Sequence, residues 1–223
     1  MTKESINNPF NPSPEAPTHL SALAEQGFLP PEEVAKLKEL EGQKNRSSEF
    51  GIRSSLSDIS LEEGYTAEER NKKESQETIR EGIIVWARVF ELGDDLWVDQ
   101  YFEFNDDGTA VCIYSLNLQN KGITYFPKGI TEVQGDLKLS GNKIKKLDNM
   151  PSVIDGDLDL SNNPLSEILA MPAYVDGDLY LSDIAATSIL GGSSSIEVMG
   201  FTWVSSKQKD LIASLKGHDL QFT

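Results

Sequence analysis

One spacing governs what this chain can become. The tripeptide Gly-Asp-Leu begins at residues 135, 156 and 177, and a second leucine follows at Leu139, Leu160 and Leu181. The segments GDLKLSGNKIKKL, GDLDLSNNPLSEI and GDLYLSDIAATSI align without gaps at a step of 21. One step back, Leu116 and Leu118 in SLNLQNKGITYF form a fourth copy that lacks the Gly-Asp. Other apolar columns keep the same step: Ile123, Ile144 and Leu165; Phe126, Leu147 and Ile168; Val133, Ile154 and Val175. Ordinary hairpins favour shorter connections. A sustained period of this length is the signature of a stacked repeat.

The physical reading is a solenoid. Each copy supplies a short strand such as Leu158-Asp159-Leu160, whose alternate side chains point the same way. Asn-Pro or Gly-Asn then turns the chain, and a return segment brings the next strand alongside the last. Such strands are parallel, and 21 residues are enough for a compact crossover. No copy can bury its leucines alone, so the stack itself is the core.

The stretches LKLSGNKI and LDLSNNPL resemble the leucine-rich repeat, with Asn142 and Asn163 in its asparagine column. The Met-Pro pairs at 150–151 and 171–172 look like the Leu-Pro that closes short bacterial-type repeats. The resemblance covers roughly residues 111–204. It implies that the asparagines bond backbone groups in the turns, forming a ladder, and that the strand face is a recognition surface. Lys121 and Ile184 stand in the asparagine column of the outer copies, so the ladder is expected to fray there.

The flanks suggest caps. Residues 66–92 read as an amphipathic helix with Thr66 and Glu69 as a capping box, an apolar face of Ile79, Ile83, Ile84, Trp86, Val89 and Phe90, and Gly93 as a stop. DLWVDQYFEF, a turn at NDDG and TAVCIYSLNL read as a β-hairpin. Helix and hairpin together would cover the open first strand. Residues 205–223 are expected to close the other end. Residues 1–17 read as disordered, 18–42 as two short helices starting near Thr18 and Pro30-Pro31, and 45–60 as linker. The expected fold is thus an α+β solenoid. A mostly disordered arm spans 1–65, the helix-plus-hairpin cap 66–110, the leucine-rich-repeat stack 111–204 and a C-terminal cap 205–223.

Composition narrows the function. The 223-residue chain carries a net charge of −16. That argues against nucleic acid, which needs clustered Lys and Arg, and against an anionic membrane. The single cysteine, Cys112, forbids an internal disulfide, and with only His19 and His218 a Cys/His zinc site is not expected. Period two places Cys112 inward with Tyr114, Leu116 and Leu118, as a buried thiol. GGSSS at 191–195 lacks the lysine of a phosphate loop and reads as surface loop. The start MTKESINNPFNPSPEAP is no signal peptide, so a cytoplasmic, monomeric protein is expected, with a non-Sec secretion route left open.

No catalytic constellation or cofactor motif stands out, so the chain is expected to be a non-catalytic protein-binding module. The alternatives are the targeting module of a bacterial effector or a structural assembly component. Asp136, Asp157 and Asp178 occupy equivalent outward positions at the strand starts, either as a solvated face or as a site for a basic partner or a cation. Asn117, Lys138, Asp159 and Tyr180 form the next column. These seven are the candidate partner-binding residues, with Tyr180 as the leading anchor.

Overall fold

Each 21-residue step makes two short strands rather than one, with a bend between them. The computed structural model describes residues 27, 67–166, 168, 170–188, 196–215 and 217–223. All but residue 27 belong to one compact unit, Ser60–Thr223. The expectations for the arm, its two short helices, the linker, Thr66 as cap and the 191–195 loop lie outside the described residues.

The chain enters through helix α1 (Ala67–Val89) and a short second helix, α2 (Asp95–Tyr101). It continues through strands β1 (Phe102–Phe104), β2 (Ala110–Cys112), β3 (Leu116–Asn117), β4 (Ile130–Val133), β5 (Leu137–Lys138), β6 (Val153–Ile154), β7 (Leu158–Asp159), β8 (Tyr174–Val175), β9 (Leu179–Tyr180), β10 (Glu197–Val198) and β11 (Thr202–Val204). Helix α3 (Lys209–Ser214) and β12 (Leu220–Phe222) follow. The strands form two six-stranded sheets. The first has the order β1-β2-β4-β6-β8-β10, the second β3-β5-β7-β9-β11-β12. All pairings are parallel except β1 with β2. The result is a β-solenoid of about five turns.

The two-sheet arrangement explains the apolar columns. Val133, Ile154 and Val175 stack in the first sheet, and Leu116, Leu137, Leu158 and Leu179 in the second. Both rows, with Leu118, Leu139, Leu160 and Leu181, are buried. Between the sheets the chain turns a corner at Gly-Asp. Gly156 lies so close to Gly135 and Asp136 that a Cβ would overlap both, and Gly177 and Gly200 repeat the approach one coil on. At the far end of each second-sheet strand, Asn120, Gly141, Asn162 and Asp183 all have positive φ, between 56° and 70°. Asn, Asp and Gly are the residues that adopt this left-handed conformation at least cost.

The N-terminal cap departs from expectation in two details. Residues 95–101 are helical, so only the FEF of DLWVDQYFEF pairs in the hairpin. Asp94 caps that helix by accepting from the Trp97 backbone N–H, a signal overshadowed by the aromatic run that follows. Helix α1 ends at Val89, before Gly93. Glu91 takes the left-handed position (φ 52°) and Leu92 donates to Ala87 O at 2.8 Å. Gly93 is needed instead for the close approach of the Trp97 side chain. The apolar half of α1 packs on the first coil. Trp86 meets Phe126 edge-on at 5.5 Å and donates to Tyr125 O at 3.1 Å. Arg80 makes a bidentate pair with Asp99 at 2.7 and 2.8 Å, fixing α1 against α2.

Cys112 is buried, but in the first-sheet row with Val133, not in phase with Tyr114, which is exposed. The corner between β2 and β3 breaks the two-residue period. Burial pushes the Cys112 thiol up to about 11, and it donates to Tyr114 O at 3.1 Å.

Candidate functional site: the strand face of the second sheet

Strand register puts the predicted residues into one row. Asn117 neighbours Lys138, Lys138 neighbours Asp159, and Asp159 neighbours Tyr180. The row then continues through Trp203 to Gln221. The Tyr180 and Trp203 rings stack, with centroids 5.9 Å apart and planes within 6°. Trp203 was not legible as a member. From Leu179 to Thr202 the step is 23, two more than the repeat. GFTWV at 200–204 nevertheless occupies the place of GDLYL, and its leading glycine is the surviving signal.

Asp136, Asp157 and Asp178 form a neighbouring column, yet they are not simply a solvated row. Asp136 Oδ1 accepts from the Asp157 N–H at 3.0 Å, Asp157 Oδ1 from the Asp178 N–H at 2.9 Å, and Asp178 Oδ1 from the Phe201 N–H at 2.8 Å. Ser115 Oγ plays the same part for the Asp136 N–H, at 3.0 Å. Each corner thus satisfies the next corner's backbone donor. A hydrogen bond to a charged acceptor is worth ~1.5–3 kcal/mol. Repulsion between solvated carboxylates at this spacing is about 1 kcal/mol. The ladder therefore wins over the repulsion.

The second carboxylate oxygens of Asp136 and Asp178 bond side chains of the same face. Asp136 Oδ2 pairs with Lys138 Nζ at 3.0 Å. Asp178 Oδ2 accepts from Trp203 Nε1 at 2.9 Å and from the Tyr180 hydroxyl at 3.2 Å, locking the ring stack over the corner. The backbone N–H of Asp157 holds the Asp136 carboxyl below the usual range, and the N–H of Phe201 does so for Asp178. Burial, together with the charges of Asp157, Asp178 and Asp159, pushes the Tyr180 hydroxyl up to about 12. Asp159 Oδ1 accepts from the Ser161 N–H at 3.0 Å, closing a local turn and leaving its outer oxygen near Gln119 Nε2 at 3.5 Å. Asn117 Oδ1 sits 3.4 Å from the Gln119 N–H and its side chain is exposed.

Beneath this face the asparagine ladder is in place. Asn142 Nδ2 donates to Leu118 O and Leu139 O, both at 2.8 Å, and Oδ1 accepts from the Ile123 N–H at 3.1 Å. Asn163 repeats this with Leu139 O, Leu160 O and the Ile144 N–H. Ile184 ends the column as anticipated. Gln208, arriving from beyond the repeats, takes over by donating to Leu181 O at 3.1 Å and Ile184 O at 3.3 Å.

The face of the first sheet is also acidic. Burial and the charges of Glu132 and Asp176 raise the Asp155 carboxyl above its ordinary value, and the Tyr174 hydroxyl donates to Asp176 at 2.7 Å. Among the described residues, no group of three or more His, Cys, Asp or Glu side chains could hold a metal ion. No described helix is long and apolar enough to cross a membrane. Compared with known proteins, the chain matches no family model, no curated protein and no solved structure.

Proposed function

We propose that this chain is a leucine-rich-repeat type of module that binds another protein, without catalysis, through the strand face of its second sheet. The observation that carries this reading is the Tyr180–Trp203 stack, pinned by Asp178 and bordered by Asp157 and Asp159. Aromatic anchors that are already ordered lose little entropy on binding. Carboxylates beside an aromatic face favour a partner's lysine or arginine, through charge and cation–π attraction together. The partner is thus a protein with a basic surface, met in the cytoplasm. The repeats supply the scaffold, while the specificity lives in this row.

The test separates the face from the ladder. Asp157 is an unsuitable place for a charge reversal, because it holds the Asp178 N–H. Tyr180→Ala and Asp159→Lys alter the face, while Asp157→Asn removes charge but keeps an acceptor oxygen. Partners captured by the wild-type chain and mapped by cross-linking should be lost tenfold or more with the first two variants. All three should unfold within a few degrees of wild type. Undiminished capture by both Tyr180→Ala and Asp159→Lys would overturn the reading.

A further inference from the structure

One inward row of the second sheet ends on an exposed side chain in the last coil. The row passes through Leu118, Leu139, Leu160, Leu181 and Val204 to Phe222, since Val204 pairs with Phe222. Val204 is fully buried, but Phe222, on the same side, is 55% exposed. Met199 and Phe201 of the last coil are exposed as well, at 61% and 46%. Among the described residues, backbone groups are open there too. Thr202 N–H donates to Asp219 O at 2.8 Å and Thr223 N–H to Val204 O at 3.0 Å. In a strand the bonding direction alternates from residue to residue, so Leu220 and Phe222 turn their N–H and C=O groups away from β11. β12 ends its sheet and β10 ends the other, and no described strand lies beyond either. An apolar row continued onto a bare strand edge is a pairing template.

We propose that this edge is closed by a second copy of the chain. The two β12 strands pair antiparallel about a two-fold axis at Gln221, so that Leu220 of one copy lies opposite Phe222 of the other. That register uses the four outward backbone groups of each copy and joins the two apolar rows into one. It is self-complementary, as a two-fold contact requires.

The charge balance of this end permits self-association. Residues 67–110 hold five Lys or Arg against twelve Asp or Glu. Both sheet faces are acidic, so copies meeting there repel each other. Residues 196–223 hold Lys207, Lys209 and Lys216 against Glu197, Asp210 and Asp219, three of each sign. Two copies of a chain with net charge −16 can therefore meet at this end without a net opposing charge. The inference departs from the monomer expected from sequence and is independent of the strand-face reading.

Sedimentation velocity of the full 223-residue chain across micromolar to hundreds-of-micromolar concentrations tests it. The expected result is a reversible species of twice the 24.6 kDa chain mass. Phe222→Asp puts a charge into the joined row and should weaken that association at least tenfold. Phe222→Pro removes an outward donor and should do the same. Phe222 is already exposed, so circular dichroism should report an unchanged fold for both. A strictly 24.6 kDa species at every concentration would overturn the proposal. So would a dimer indifferent to both variants, or masses climbing beyond two copies.

Discussion

At the residue scale, the side chains that matter most are those that serve backbone groups of a neighbouring coil. Asn163 is buried and bonds three carbonyls and one N–H, spread over two coils. Alanine there orphans Leu160 O and the Ile144 N–H in a place water reaches poorly, while Leu139 O keeps Asn142 and Ser161 O keeps the Gly141 N–H. Each orphaned group costs ~1–3 kcal/mol, and partial relaxation brings the expected loss to about 3 kcal/mol. Urea unfolding of Asn163→Ala measures it, and a loss under about 1 kcal/mol would mean that the ladder is ornamental. The role of Asn142 and Asn163 was legible only through the repeat resemblance, which implied it. The aspartate ladder was not. In sequence, Asp after Gly looks like an exposed turn residue, and only the coil spacing reveals that its carboxylate reaches the next backbone N–H. The left-handed column of Asn120, Gly141, Asn162 and Asp183 was present at the same step but passed as ordinary turn composition.

At the element scale, the strands inside the repeats are too short to be assigned by their own pattern. β5, β6, β7, β8 and β9 have two residues each. The repeat, not local propensity, made the leucine strands legible, and it also flagged the Val133 column without showing that it belonged to a separate sheet. Corners erase the two-residue alternation, which is why Tyr114 was placed with Cys112 and is in fact exposed. The last coil was obscured by its changed length, 23 residues into β11 and then 18 into β12. In that coil His218 Nδ1 lies 3.0 Å from the buried Thr202 hydroxyl, and burial lowers the imidazole pKa below its ordinary 6.5. Below pH 6.5 the unfolded chain takes up a proton at this ring more readily than the folded one. Folding is then disfavoured progressively, from 6.5 down to the depressed folded value. Going from pH 7.5 to pH 5.5 should lower the wild-type melting temperature more than that of His218→Gln, whose amide does not titrate. Equal pH dependence of the two proteins would show that the ring is not a determinant of this coil's stability.

At the scale of the whole molecule, a solenoid has no centre in the sense that a globular core does. Each coil is held by its two neighbours, so stability is approximately a sum of nearest-neighbour terms. The N-terminal neighbour is α1, which seals the first coil with Trp86 against Phe126. The last coil carries the short α3, with Leu211 and Leu215 buried, but its strand β12 has a pairing partner on one side. Opening should therefore begin at that end and travel inward. Amide hydrogen exchange reads this directly. The Leu139 and Leu160 N–H groups, which bond Asp159 O at 2.8 Å and Tyr180 O at 2.9 Å between fully covered coils, should be the slowest. Exchange should quicken through Leu181 to Thr223, whose N–H bonds Val204 O at the margin. If two copies join at β12, protection at Leu220 and Phe222 must rise with protein concentration while that at Leu139 stays fixed, because association adds neighbours only to the last coil. Uniform protection from Leu139 to Thr223 at low concentration would instead mean that the coils unfold as one cooperative block, and the nearest-neighbour picture would fail.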